Sequence, residues 1–135
     1  MVMKQCGSAP PLGVAKTTML ITDLGFLGYW IATALGAISV GTDPLLRQWN
    51  WSFLGLDLAA IGLGLAGLAL GPRSRTAPQL LVVSLALTAA AGLMALNFYV
   101  VRGDYEPMWW IPNLWLLLFP LVALPALLRP PPPRP

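Results

Sequence analysis

Histidine is absent from this chain, cysteine occurs once, and charge is scarce: eight Lys and Arg and five Asp and Glu among 135 residues. Without histidine the chain lacks the common neutral-pH base and the commonest metal ligand, so neither a metal centre nor a cofactor is expected. The lone Cys6 can close no internal disulfide and supports no zinc site. Soluble domains carry about a quarter of their residues as Asp, Glu, Lys or Arg, because such groups hydrate the surface. Here that share is 10%, against 57% hydrophobic residues, which excludes an ordinary soluble domain. No basic cluster is dense enough to track phosphates, so nucleic acid is not an expected partner.

What is present is apolar sequence in long runs. A bilayer core about 30 Å thick needs roughly 20 apolar helical residues. Four runs meet that length, at about Thr18–Gly41, Trp51–Leu70, Leu80–Val101 and Trp109–Leu128. The connections are short and carry turn residues: Gly41-Thr42-Asp43-Pro44, Gly71-Pro72-Arg73-Ser74-Arg75 and Arg102-Gly103-Asp104-Tyr105-Glu106-Pro107. Short loops make consecutive helices antiparallel neighbours, so the expected fold is an all-α integral membrane four-helix bundle, up-down-up-down, over residues 18–128. A disordered cytoplasmic leader over 1–17 and a proline-rich cytoplasmic tail over 129–135 flank it. Pro10, Pro11 and Gly13 interrupt the leader where a signal peptide would need an unbroken apolar core.

Positive charge sets the orientation. Lys4, Lys16, Arg73, Arg75, Arg129 and Arg134 fall on one side, against Arg47 and Arg102 with the loop acids Asp43, Asp104 and Glu106 on the other. Both termini are therefore expected in the cytoplasm. The expected partner is the lipid bilayer, with homo- or hetero-oligomers left open.

Small residues should let the helices approach closely: Gly28, Ala32 and Gly36 on the first, Ala60 and Gly64 on the second, Ala86 and Ala90 on the third. Leu116, Leu117 and Leu118 are expected to face lipid. Pro112, Pro120 and Pro125 should kink the fourth span or end it early. Trp49, Trp51, Trp109 and Trp110 suit an interfacial belt, whereas Trp30 and Trp115 lie deeper and need an indole partner or a pocket wall.

Two acids, Asp23 and Asp57, lie inside spans, where an ionisable group costs at least about 2.5 to 3.5 kcal/mol. Asp23 lies near the cytoplasmic end, where Lys16, Arg73 or Arg75 could pair with it. Asp57 lies about 9 Å below Trp51, counted at helical rise. Asn97 and Asn113 fall at nearly the same depth, and the span ends and loops above bring Asn50, Tyr99, Tyr105 and Glu106, with Trp51, Phe98 and Trp115 as walls. Two carboxamides would satisfy Asp57 as a neutral acid, and such an acid among aromatic faces can protonate an alkene or epoxide and shelter the cation that forms. The residues thus admit a cofactor-independent cyclase or isomerase of a lipophilic, terpenoid-like substrate, with Asp57 and Asp23 as the acids. They equally admit a cluster that only joins helices, in a non-catalytic accessory or lipid-binding protein. A small proton-coupled exporter is the third reading, and the six-to-two charge bias argues against its dual-topology form. Whether the chain is an enzyme stays open at this level.

Through Thr22-Asp23-Leu24-Gly25-Phe26-Leu27-Gly28-Tyr29-Trp30 and Asn50-Trp51-Ser52-Phe53-Leu54-Gly55-Leu56-Asp57 the chain resembles the YvaD-like family of small bacterial membrane proteins. The likeness extends over about Met19–Leu124. It implies a four-span fold in a bacterial plasma membrane and transfers no catalytic role, since that family has no established activity.

Overall fold

Prolines and glycines set the helix limits throughout. The computed structural model describes residues 10–130. These form α1 (Leu12–Ala34), α2 (Pro44–Ser52), α3 (Leu54–Leu70), α4 (Ala77–Arg102) and α5 (Pro107–Leu128), with no strand among the described residues. Most of the expected leader, with Lys4 and Cys6, and residues 131–135 of the tail lie outside the described residues.

Pro11 precedes α1, and its carbonyl accepts from the Ala15 N–H at 3.1 Å. At the other end Gly36 takes a φ of 77°, and the Ala37 N–H returns to the Ala32 carbonyl at 2.9 Å, which stops the helix. The helix therefore begins and ends earlier than the expected Thr18–Gly41. Pro44 opens α2, where Asp43 Oδ1 accepts from the Leu45 N–H at 3.0 Å. Only Phe53 separates α2 from α3, and the Asp57 N–H still bonds to its carbonyl at 2.9 Å. Pro44–Leu70 is thus a nearly continuous 27-residue rod that starts well before Trp51. Gly103, at φ 68°, ends α4. The early end expected for the last span does not occur: α5 runs through Pro112, Pro120 and Pro125 to Leu128. Each proline removes a single ladder donor, and the remaining bonds carry the helix across it.

Three segments are long and apolar enough to cross a membrane: Pro44–Leu70, Ala77–Arg102 and Pro107–Leu128. At 23 residues α1 reaches about 34 Å. Lys16, Asp23 and four threonines, Thr17, Thr18, Thr22 and Thr33, make it the more polar member.

α4 lies between α3 and α5, while α1 packs on α3 and barely touches α5. Close approach is made by Ala60, Gly64, Gly67 and Gly92. A Cβ on Gly67 would lie 2.8 Å from Leu81, and one on Gly92 would lie 2.7 Å from the backbone of Asn113 and Leu117. Other expected small-residue contacts are not made: Gly28 faces open space, Gly36 is in the turn, and Ala86 and Ala90 are exposed, while Ala32 is half-buried. Of the leucines expected to face lipid, Leu116 is buried while Leu118 is exposed, because residues two apart on a helix point about 200° apart.

One end of the bundle is filled by Ala15, Met19, Leu81, Leu85 and Ala123, with Phe119 and Leu127 against them. Large apolar side chains such as Ile21, Val101, Ile111 and Val122 cover the exterior, while Asp23, Asn50, Asp57, Ser84 and Thr88 are buried. Apolar outside and polar inside is the distribution that a lipid surround favours.

Candidate functional site

The end opposite that packed core is hollow. A chamber of about 730 Å³ lies among all five helices. It exists because α1 and α5 stand apart at this end, and because Ala91 and Ala95, on one face of α4, leave its inner wall low. Aromatic rings supply much of the remaining lining, among them Phe26, Trp30, Trp49, Tyr99 and Trp109.

Asp57 lines this chamber from the first turn of α3 and is only 4% exposed. Its Oδ2 accepts from the Trp30 indole N–H at 3.0 Å, which joins α3 to α1. Its Oδ1 is buried and has no hydrogen-bond partner among the described residues. Seven residues earlier, on α2, Asn50 presents a matching arrangement: Oδ1 accepts from the Tyr29 hydroxyl at 2.8 Å, and Nδ2 is buried without a partner among the described residues. Buried polar groups are normally paired, and an unmade bond costs about 1 to 3 kcal/mol. A free acceptor and a free donor thus belong to residues of one chamber wall.

The shared layer of Asp57, Asn97 and Asn113 does not form as expected. Asn97 is exposed on the outer face of α4, about 200° around the helix from Ala95, which faces the chamber. A residue count sets depth along the helix but leaves azimuth open. Asn113 does line the chamber, but its Nδ2 donates to the Trp109 carbonyl of its own helix at 2.7 Å. Among the other expected site residues, Asn50 and Tyr99 are buried in the wall, and Tyr99 packs edge-on to Trp49 with centroids 5.5 Å apart. Trp51 lies behind Trp30 at 5.5 Å and is itself 42% exposed. Glu106 is exposed at the start of α5. Trp115 lines the chamber from α5 and donates its indole N–H to Thr22 Oγ1 of α1 at 3.1 Å.

Asp23 belongs to a different place. It is 4% exposed, and a Cβ on Gly64 would collide with its Oδ2 and lie 2.7 Å from Ser84 Oγ. Ser84 donates to the Ala60 carbonyl at 2.7 Å, and Asp23 Oδ2 has no partner among the described residues. The expected pairing with Lys16, Arg73 or Arg75 is not made; the one ion pair among the described residues is Arg102 with Asp43, at 3.2 Å on the surface. A carboxyl turned into the α1–α3 seam cannot reach the helix ends where those cations lie. No group of three or more His, Cys, Asp or Glu that could hold a metal ion forms among the described residues.

Tyr29 and Trp30, which hold Asn50 and Asp57, stand outside the site residues expected from sequence, although Trp30 is marked there as a deep indole in need of a partner. Their signal was chemical: a deep indole needs an acceptor, a deep carboxyl needs a donor, and each answers the other.

Residues 15–132 match the profile of a family described as of unknown function, DUF5360. The chain is 35% identical over 121 residues to the uncharacterized protein YvaD of Bacillus subtilis (strain 168), an alignment that covers 84% of this chain and 91% of that one. No solved structure matches.

Proposed function

Because the chain belongs to the DUF5360 family, whose function is unknown, the reading has to come from its own geometry, and we propose that it binds a lipophilic small molecule inside the membrane. The carrying observation is the aromatic chamber with a buried, half-satisfied Asp57 in its wall. Its volume of about 730 Å³ falls within the range of about 300 to 1,000 Å³ typical of small-molecule sites. In this reading Asp57 and Asn50 hold the polar part of the ligand, Tyr29 and Trp30 hold those two side chains in place, and the rings enclose the rest.

All four long segments cross the bilayer in this arrangement, α1 included, with both termini in the cytoplasm of a bacterial cell. Three of them have the length and apolarity to do so, and the cation bias supports the orientation. The relative from Bacillus supports the bacterial setting.

Binding is tested by thermal unfolding of the purified full chain in detergent with a panel of neutral lipids. A ligand at 100 times its Kd should stabilise the protein by about 2.7 kcal/mol, and Asp57→Leu should abolish that gain. A panel that leaves the wild-type midpoint unmoved would count against the proposal.

One observation favours a catalytic version. The Trp30 indole occupies Asp57 Oδ2, so a neutral carboxyl would carry its proton on Oδ1, which no protein acceptor among the described residues claims. That proton can pass to an alkene carbon as the O–H bond breaks and the C–H bond forms. Loss of a different proton from the cation back to the carboxylate completes an isomerisation with nothing consumed. Here Asp57→Asn should retain the bound molecule and lose turnover; turnover at the wild-type rate would end the catalytic version and leave binding standing.

A further inference from the structure

A second hollow, of about 510 Å³, continues along the seam between α1 and α5. Val14 and Thr18 form one wall and Leu118 and Val122 the other, and it shares Ile111 and Trp115 with the chamber. The two hollows adjoin at Ile111 and Trp115, and taken together they trace one path along the α1–α5 seam with Trp115 standing across it. Its indole bond to Thr22 is the single side-chain hydrogen bond between α1 and α5 among the described residues. Because those two helices barely touch, the seam opens sideways, toward the position that lipid would occupy.

The channel is chemically polarised. At the α2 end lie the unpartnered Asp57 Oδ1 and Asn50 Nδ2, on side chains 4% and 8% exposed. Beyond Trp115 the lining is almost wholly apolar, and neither hollow is lined by Lys or Arg. A phosphate or carboxylate head would meet a carboxyl with no cation to balance it. An ammonium head would suit Asp57 but would face the N–H donors of Asn50. A hydroxyl both gives and accepts a hydrogen bond, and so matches the free acceptor and the free donor together. The Asp57 carboxyl can turn to meet it, since its terminal torsion is broad.

Length narrows the class further. From Trp30 to Ala15, which line opposite ends, α1 extends about 22 Å. Half of a hydrocarbon core is only about 15 Å, so a chain that fills the channel is longer than one leaflet is deep.

Building on the reading that the chamber holds a lipophilic molecule, we infer that its ligand is a long, single-chain neutral alcohol that arrives from the bilayer between α1 and α5. The hydroxyl sits between Asp57 and Asn50, and the tail passes Trp115 and lies along the seam toward Ala15 and Ala123.

Quenching of the intrinsic tryptophan fluorescence of the full chain in micelles tests this, with geraniol as the short probe and geranylgeraniol as the long one. The long alcohol should bind at least tenfold more tightly. Val122→Trp, which fills the far hollow from an exposed position, should remove that advantage and leave geraniol binding unchanged; Leu118→Trp is the second filling variant should the first fold poorly. Equal affinities of the two alcohols, or a long-chain advantage that survives both filling variants, would overturn the tail path while leaving the chamber occupied. Palmitate or phosphatidylglycerol binding as tightly as geranylgeraniol would overturn the neutral-alcohol assignment. If neither alcohol and neither anionic lipid binds, the chamber reading itself fails along with this one.

Discussion

Asp57 and Asp23 show how differently the same side chain can be accommodated. Asp57 is held by an indole and opens on a chamber, whereas Asp23 is pressed against Gly64 with Ser84 close by. A double-mutant cycle on Trp30→Phe and Asp57→Leu, read by unfolding in detergent, should return a coupling of about 0.6 kcal/mol, the average found for hydrogen bonds between membrane helices, and at most about 1.7 kcal/mol. A coupling near zero would mean that the indole and the carboxyl are neighbours without being partners. At the second acid, Gly64→Ala should destabilise the fold by about 1 to 3 kcal/mol, because the new methyl group meets Asp23 Oδ2 in a packed seam. Asp23→Ala should recover most of that loss when combined with it, since the obstacle is a side chain. Both acids were legible from sequence as polar residues in apolar runs. Their partners were not: Trp30 stands 27 positions before Asp57, and nothing in the spacing says which donor the fold will bring to it.

Gly92 defines α4 and α5 as a pair. The space beside it is closed by the backbone of Asn113 and Leu117, which cannot rotate away as a side chain does. Gly92→Ala should therefore be the harsher of the two glycine substitutions, and no single side-chain truncation on α5 should rescue it. Equal unfolding midpoints for the Gly92 and Gly64 variants would contradict this. The proline-bearing α5 stays helical because each proline removes only one donor, while Pro120 itself is packed inside the bundle. Helix existence was readable from run length, and helix ends were displaced by the caps at Pro11, Pro44 and Gly36. A hydropathy run marks where lipid can be met, whereas a cap marks where backbone hydrogen bonding begins or stops, and the two need not coincide.

For the whole molecule the governing feature is unequal packing. α4 is clasped on both sides, while α1 leans on α3 and leaves a seam to α5. The proposed four crossings predict that, in a Cys6→Ser background, a cysteine at Ser74 reacts with an impermeant thiol reagent only from the cytoplasmic side. Cysteines at Thr42 and Tyr105 should react only from outside. Labelling of the Ser74 and Thr42 positions from the same face would show that Pro44–Leu70 does not cross, and labelling of a cysteine at Leu12 from the same face as Thr42 would show that α1 does not.

Sequence alone determined that this is a chain of long apolar helices, because hydropathy and length are properties of residues in a row and survive any choice of packing. It also determined that two carboxyls would be costly and in need of company. Only the tertiary structure decided which company: Trp30 and Asn50 near Asp57, Gly64 and Ser84 near Asp23, and Asn97 turned outward. Depth along a helix is fixed by counting residues, but the direction a side chain faces depends on how each helix is rotated against its neighbours. That rotation is set by where backbones can touch, at Gly64, Gly67 and Gly92, and it is these contacts that leave α1 and α5 apart.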